Sequence, residues 1–214
     1  AQVFNLPNIE IVGLGTNLNC LHGVMPSQDK LIQLSLYKQI IELKFNKKIP
    51  FVSGGTTVTI PLVIKKQIPR GVNHFRIGEA LFFGRNLFDD SQIEGMTDQV
   101  FEFYANIIEI TQKPMVPSGE MANNPQGETM EVDESLYGKT SYRGILDVGL
   151  LDIDPKYIIS DYNFDIIGAS SDMLVIDLGQ NPEGIKVGDV VSFKLKYMGA
   201  LSLLNSSYIG KEIV

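Results

Sequence analysis

"IPFVSGGTTVTIPLVIKKQIPRGVNHFRIG", residues 49–78, decides the fold class of the first part of this 214-residue chain. It opens on a short apolar run, "IPFVS", and breaks at two glycines and two threonines. It resumes as "IPLVIKKQ", with Pro61 near its start, and closes on the extended "NHFRIG". Proline is tolerated in the first turn of a helix, where its absent N–H would have no partner. The stretch therefore reads as strand, turn, short helix, strand. Strands joined through a helix pair in parallel by a right-handed crossover. Upstream, "NIEIVGLG" (8–15) reads as an earlier strand. "PSQDKLIQLSLYKQIIELKFNKK" (26–48) reads as a helix capped by Ser27, with Ile32, Leu36, Ile40 and Leu43 at helical spacing. The rhythm predicts an α/β unit, part of a TIM-type barrel or an open sheet, over residues 1–95.

From about Met96 the texture changes. The runs "FEFYANIIEI", "GILDVGLLDI", "DMLVIDLG" and "DVVSFKLKY" are short, β-rich and separated by Gly, Pro, Asn and Asp. They predict a β-rich carboxyl-terminal domain over residues 96–214, with a tail that is mostly strand. The polar, Pro/Gly-rich stretch "QKPMVPSGEMANNPQGETMEVDES" (112–135) reads as a solvated loop, a hairpin excursion or a lid.

Composition excludes several functions. A net charge of −7 with no basic run argues against nucleic acid as a partner. One cysteine, Cys20, rules out an intrachain disulfide and a Cys-rich zinc site, and two histidines, His22 and His74, leave little to hold a metal. A reducing, cytoplasmic setting fits this cysteine usage. No apolar run reaches the length that spans a bilayer.

In parallel α/β units, ligands gather beyond the carboxyl ends of the strands. Three clusters fall at such ends: "GLGTNLNC" (13–20), "SGGTT" (53–57) and "RIGE" (76–79). Two glycines let backbone N–H groups approach an anion, and Ser53 and Thr56 add hydroxyl donors, so "SGGTT" suits a phosphate or is a plain tight turn. Arg76 in an otherwise apolar run needs a partner, either an acid in an ion pair or a ligand. Asn17 and Asn19 read as turn-makers or as part of the site.

Taken together, "GTNLNC", "SGGTT", "RIGEALFFG" and "GASSD" resemble the alanine racemase family, pyridoxal-phosphate enzymes of fold type III, and most of all its alanine/ornithine racemase branch. The resemblance spans nearly all of the chain. It implies that Ser53, with backbone N–H groups around Gly54 and at Gly78 and Glu79, holds the phosphate of pyridoxal 5'-phosphate. Tyr208 in "SSYIGKEI" matches a tyrosine that donates to the same group. Arg76 would meet the pyridine nitrogen, and Asn17 stands where the family has a histidine. An arginine there cannot give its proton to the ring, because its pKa lies above about 12. Charge developing at Cα is then less delocalised and is quickly reprotonated, which suits racemisation by two bases acting on opposite faces.

Two departures qualify what the resemblance implies. No lysine precedes the "GTNLNC" strand, where the family's cofactor-bonding lysine would stand, so the chain reads as the carboxyl-terminal portion of a longer enzyme, inactive by itself. The opposite-face base is a tyrosine of the partner subunit in that family, and Leu150 in "VGLLDID" takes its place here. Asp172, Ser171 and Asp152 are the remaining candidates, with turn formation as the alternative for each. The resemblance therefore implies an amino-acid racemase acting as a homodimer on ornithine, a related amino acid or alanine. A non-catalytic phosphate- or pyridoxal-phosphate-binding protein is the alternative.

Overall fold

Ser27 caps the helix its position predicts. α1 runs Gln28–Phe45, the Ser27 hydroxyl accepts the Lys30 N–H at 3.4 Å, and Asn46 closes the far end in the left-handed conformation at φ 51°. A computed structural model describes residues 2–123, 127 and 133–214. The chain divides into two units, the first ending at Val100 and the second running Phe101–Val214, where the sequence placed the boundary between residues 95 and 96.

In the first unit, α1 buries Leu31 and Leu34, while Ile32, Leu36, Ile40 and Leu43 are 41 to 85% exposed. The helix is apolar on two faces, and helical spacing alone does not say which one turns inward. Leu31 and Leu34 join Val52 and Val72 in a small core flanked by Leu14, Leu62, Ile68 and Phe75. The upstream strand is shorter than its apolar run: β1 is Gly13–Gly15, paired in parallel with β2, Phe51–Ser53. A turn of 3-10 helix, Thr57–Thr59, leads into α2, Ile60–Ile64, with Pro61 in its first turn.

The third expected strand, "NHFRIG", is reduced to one parallel bridge, Ser53 with His74. Asn73 is the reason. Its side-chain carbonyl takes the Val52 N–H at 2.8 Å and its amide donates to the Pro50 carbonyl at 2.9 Å, using groups that a third strand would need. The short helix α3, Glu79–Phe83, follows at once and ends at Gly84 in the left-handed region. Among the described residues this unit therefore carries the parallel β–α–β rhythm on two strands rather than three.

The second unit is β-rich, as expected. Its strands are β3 (Glu102–Pro114), β4 (Thr140–Leu146), β5 (Ile158–Ser160), β6 (Asp165–Ala169), β7 (Leu174–Asp177) and β8 (Val190–Leu195). They form one antiparallel sheet in the order β5-β8-β3-β4-β7-β6. β3 joins its two halves: residues 102–106 pair with β8, and from Ile107 onward the strand pairs with β4, with a register shift between Ile107 and Glu109. Phe103, Ala105 and Ile107 alternate into a continuous core with Leu146, Leu174, Ile176, Val191 and Phe193. The tail is not strand. α4, Tyr197–Asn205, buries the adjacent Gly199 and Ala200 and, one turn further on, Leu203. The polar stretch 112–135 connects paired strands, with Met115 N–H bonded to the Lys139 carbonyl at 2.9 Å, so its described part is a hairpin connection; residues 124–126 and 128–132 lie outside the described residues.

Candidate functional site

Parallel pairing brings three strand-end segments of the first unit together. Thr16 N–H donates to the Ser53 carbonyl at 3.1 Å, Gly54 N–H to the His74 carbonyl at 2.9 Å, and Arg76 N–H to the Gly55 carbonyl at 2.9 Å. The guanidinium of Arg76 lies over this junction. Its Nη1 donates to the Ser53 hydroxyl, and its Nη2 to the Thr16 carbonyl at 3.1 Å. His74 Nδ1 lies 3.0 Å from the same Ser53 oxygen. Among the described residues Arg76 meets no carboxylate; the ion pair nearby in sequence is Arg85 with Asp90, at 2.8 Å.

A phosphate-bearing group fits the residues around Ser53. Among the described residues the N–H groups of Gly55, Thr56, Gly78 and Glu79 have no protein acceptor. The N–H of Gly54 does not join them, because the His74 carbonyl holds it. The two stretches of free N–H are tied together by the Thr57 hydroxyl, which accepts the Ala80 N–H at 3.2 Å. Thr59 fixes the loop from below by donating to the Gly54 carbonyl at 3.0 Å. Gly54 itself is buried, and a Cβ there would stand 2.4 Å from Val72 Cγ1, so the loop closes on the core only without a side chain. Glu79 is half-buried, and that burial raises its carboxyl above the usual range, against the pull of Arg85.

Asn17 is exposed and its side-chain oxygen faces the Cys20 thiol at 3.4 Å. From this segment it is Thr16, through its backbone carbonyl, that meets Arg76. His74 was not singled out as a site residue by its sequence position. Its place follows from the Ser53–His74 register, a tertiary fact with no local signature.

The other expected residues lie in the second unit. Tyr208 follows α4, is 84% exposed, and its N–H donates to the Ser206 hydroxyl. Ser171 and Asp172 form the exposed tip between β6 and β7, where the Ser171 hydroxyl bonds the Asp172 carboxylate. The "VGLLDID" segment lies against this tip: Leu150 and Leu151 N–H donate to the Ser170 and Ser171 carbonyls, both at 2.9 Å. Gly149 permits the approach, since a Cβ there would meet the backbone of Asp172 and Met173 at 2.4–2.5 Å. Asp152 is partly buried and accepts the Ser206 hydroxyl at 2.6 Å.

No family model matches the sequence. The chain is 35% identical over all of its 214 residues to an ornithine racemase of Acetoanaerobium sticklandii, and spans 60% of that protein. It is 33% identical over 203 residues, 94% of its length, to a lysine racemase of Thermotoga maritima, of which it spans 56%. Among solved structures, the biosynthetic alanine racemase of Pseudomonas aeruginosa shares its fold at a TM-score of 0.52 and 16% identity, over 89% of this chain and 50% of that one. The chain is thus related to racemases along its whole length, and the family resemblance carried by its motifs is borne out.

Proposed function

We propose that the first unit binds the phosphate of pyridoxal 5'-phosphate and that the protein containing this chain racemises an amino acid, with ornithine or lysine as first candidate and alanine as second. The observation that carries this reading is the junction of Ser53, His74 and Arg76 beside four free N–H groups. Relatives named as ornithine and lysine racemases support the substrate class. Pyridoxal phosphate, when bound, supplies electron withdrawal that makes the substrate's Cα proton removable.

The chain's own residues then have distinct tasks. Ser53 and the N–H groups of Gly55, Thr56, Gly78 and Glu79 would hold the phosphate by charge-assisted hydrogen bonds. Arg76 would exchange its bond to Ser53 for one to the ring nitrogen, where a group that only donates keeps the proton to itself. In this reading the first unit is a segment of a barrel, and the amine that would bond the cofactor lies outside these 214 residues, so the chain binds without turnover. In this reading the protein acts as a homodimer. For the opposite-face base, Asp172 is better supported than Asp152, because it stands at an exposed tip while Asp152 is partly buried; each accepts a serine hydroxyl, from Ser171 and from Ser206.

Titrating the chain with pyridoxal phosphate, followed by absorbance, tests the reading. Saturable binding that S53A and R76A each weaken by about tenfold or more is expected. Binding indifferent to both substitutions contradicts it. Equal affinity for inorganic phosphate would favour the non-catalytic anion-binding alternative.

A further inference from the structure

The Ser53 hydroxyl has one proton and two lone pairs, and two side chains compete for them. Arg76 Nη1 only donates, so it occupies one lone pair. His74 Nδ1, at 3.0 Å, either accepts the Ser53 proton or donates into the second lone pair. In the first case the hydroxyl proton is tied up. In the second, Ser53 accepts twice and its own O–H must point away from both side chains, toward whatever else is near. We propose that His74 is a positioning residue that sets the direction of the Ser53 hydroxyl proton, and so couples protonation of the imidazole to anion binding at Ser53. This rests on the phosphate reading above.

The surroundings support the assignment. An imidazolium donates from both nitrogens, so protonating His74 forces the second arrangement and adds a positive charge beside Ser53. Two groups face His74 closely: the Ser53 hydroxyl with Arg76 bonded to it, and the Phe51 ring, whose centroid is 5.9 Å away edge-on. Among the described residues no carboxylate is within ion-pair distance of the imidazole. The backbone of His74 is held separately, its N–H by the Val52 carbonyl at 3.1 Å and its C=O by Gly54 N–H at 2.9 Å. The side chain is exposed. Replacing it therefore leaves the junction's fold in place.

Sulfate is the probe of choice, because it does not titrate in the range where histidine does and any pH dependence belongs to the protein. Amide NMR titrations of the full chain should show sulfate binding about three- to tenfold tighter at acid than at alkaline pH. Nitrogen NMR of the imidazole should show Nδ1 turning from acceptor to donor at saturation. H74N, which keeps a polar group without a titrating one, should bind with a flat pH profile, and S53A should bind weakly at every pH. An H74N profile that parallels the wild type, with S53A still weak, overturns the role of His74 alone. S53A binding like the wild type, or no saturable binding at any pH, overturns this role together with the phosphate reading.

Discussion

The two units hold themselves together by different means. The second has six antiparallel strands and a continuous core in which Phe193, Ile107, Leu146, Leu174 and Ile176 are all but inaccessible. The first has two three-residue parallel strands, small separate clusters of buried residues around Leu31 and Val52 and around Ala80, and a helix whose second apolar face is exposed. Parallel pairs of this length bury little by themselves, and the first unit compensates with side chains that act as backbone: Asn73 on Val52 and Pro50, Thr57 on Ala80, Thr59 on Gly54. The residues with ligand-binding chemistry cluster in that less densely buried unit, and the hydrogen bonds that hold its loops also aim its free N–H groups.

Substitutions test this contrast. The largest effect belongs to the dense core: F193A should cost about 3–5 kcal/mol in the second unit, read by denaturant unfolding, and a loss below about 1 kcal/mol would contradict the burial. G149A should follow at about 1–3 kcal/mol, since backbone stands where the methyl would go, with the 149–153 and 170–173 segments separating in hydrogen exchange. In the first unit G54A meets Val72, a side chain that has some room to adjust, so a similar or smaller loss is expected there, accompanied by weaker anion binding that G149A does not produce. S27A should cost about 1 kcal/mol, confined to faster exchange in the first turn of α1.

The smallest effect is one of pH. Burial raises the Glu79 carboxyl above its ordinary value of 4.5, so its protonated form is the one the fold favours. The stability it contributes is fully present below pH 4.5 and is lost as pH rises through its folded value. E79Q should flatten that loss in a pH series of thermal melts; a steeper loss would reverse the sign of the argument.

Legibility in the sequence divides along the same line. Local signals were readable: the Ser27 cap, Pro61 in its helix turn, the strand end that bears Ser53, and the β-rich texture after residue 96. What depended on partners was not. Ile32, Leu36, Ile40 and Leu43 mark a helical face, but the choice of inward face belongs to Leu31 and Leu34 because Val52 and Val72 lie there. Asn73 gave no sign that its side chain would replace a strand pairing. "YMGALSLLN" has apolar runs that suit either period, and its helix is accommodated by the bare Cα of Gly199, where a Cβ would stand 2.7 Å from the Tyr157 carbonyl. His74 reached the site only through the register of β2.

The free N–H groups beside Ser53 are proposed to form a phosphate cradle. The direct measurement is amide chemical-shift mapping of the whole chain during titration with pyridoxal phosphate. Saturable shifts concentrated at Gly55, Thr56, Gly78 and Glu79, lost in S53A, are expected. Shifts spread along the chain with no saturation, or a saturable set that excludes these four amides, would contradict it.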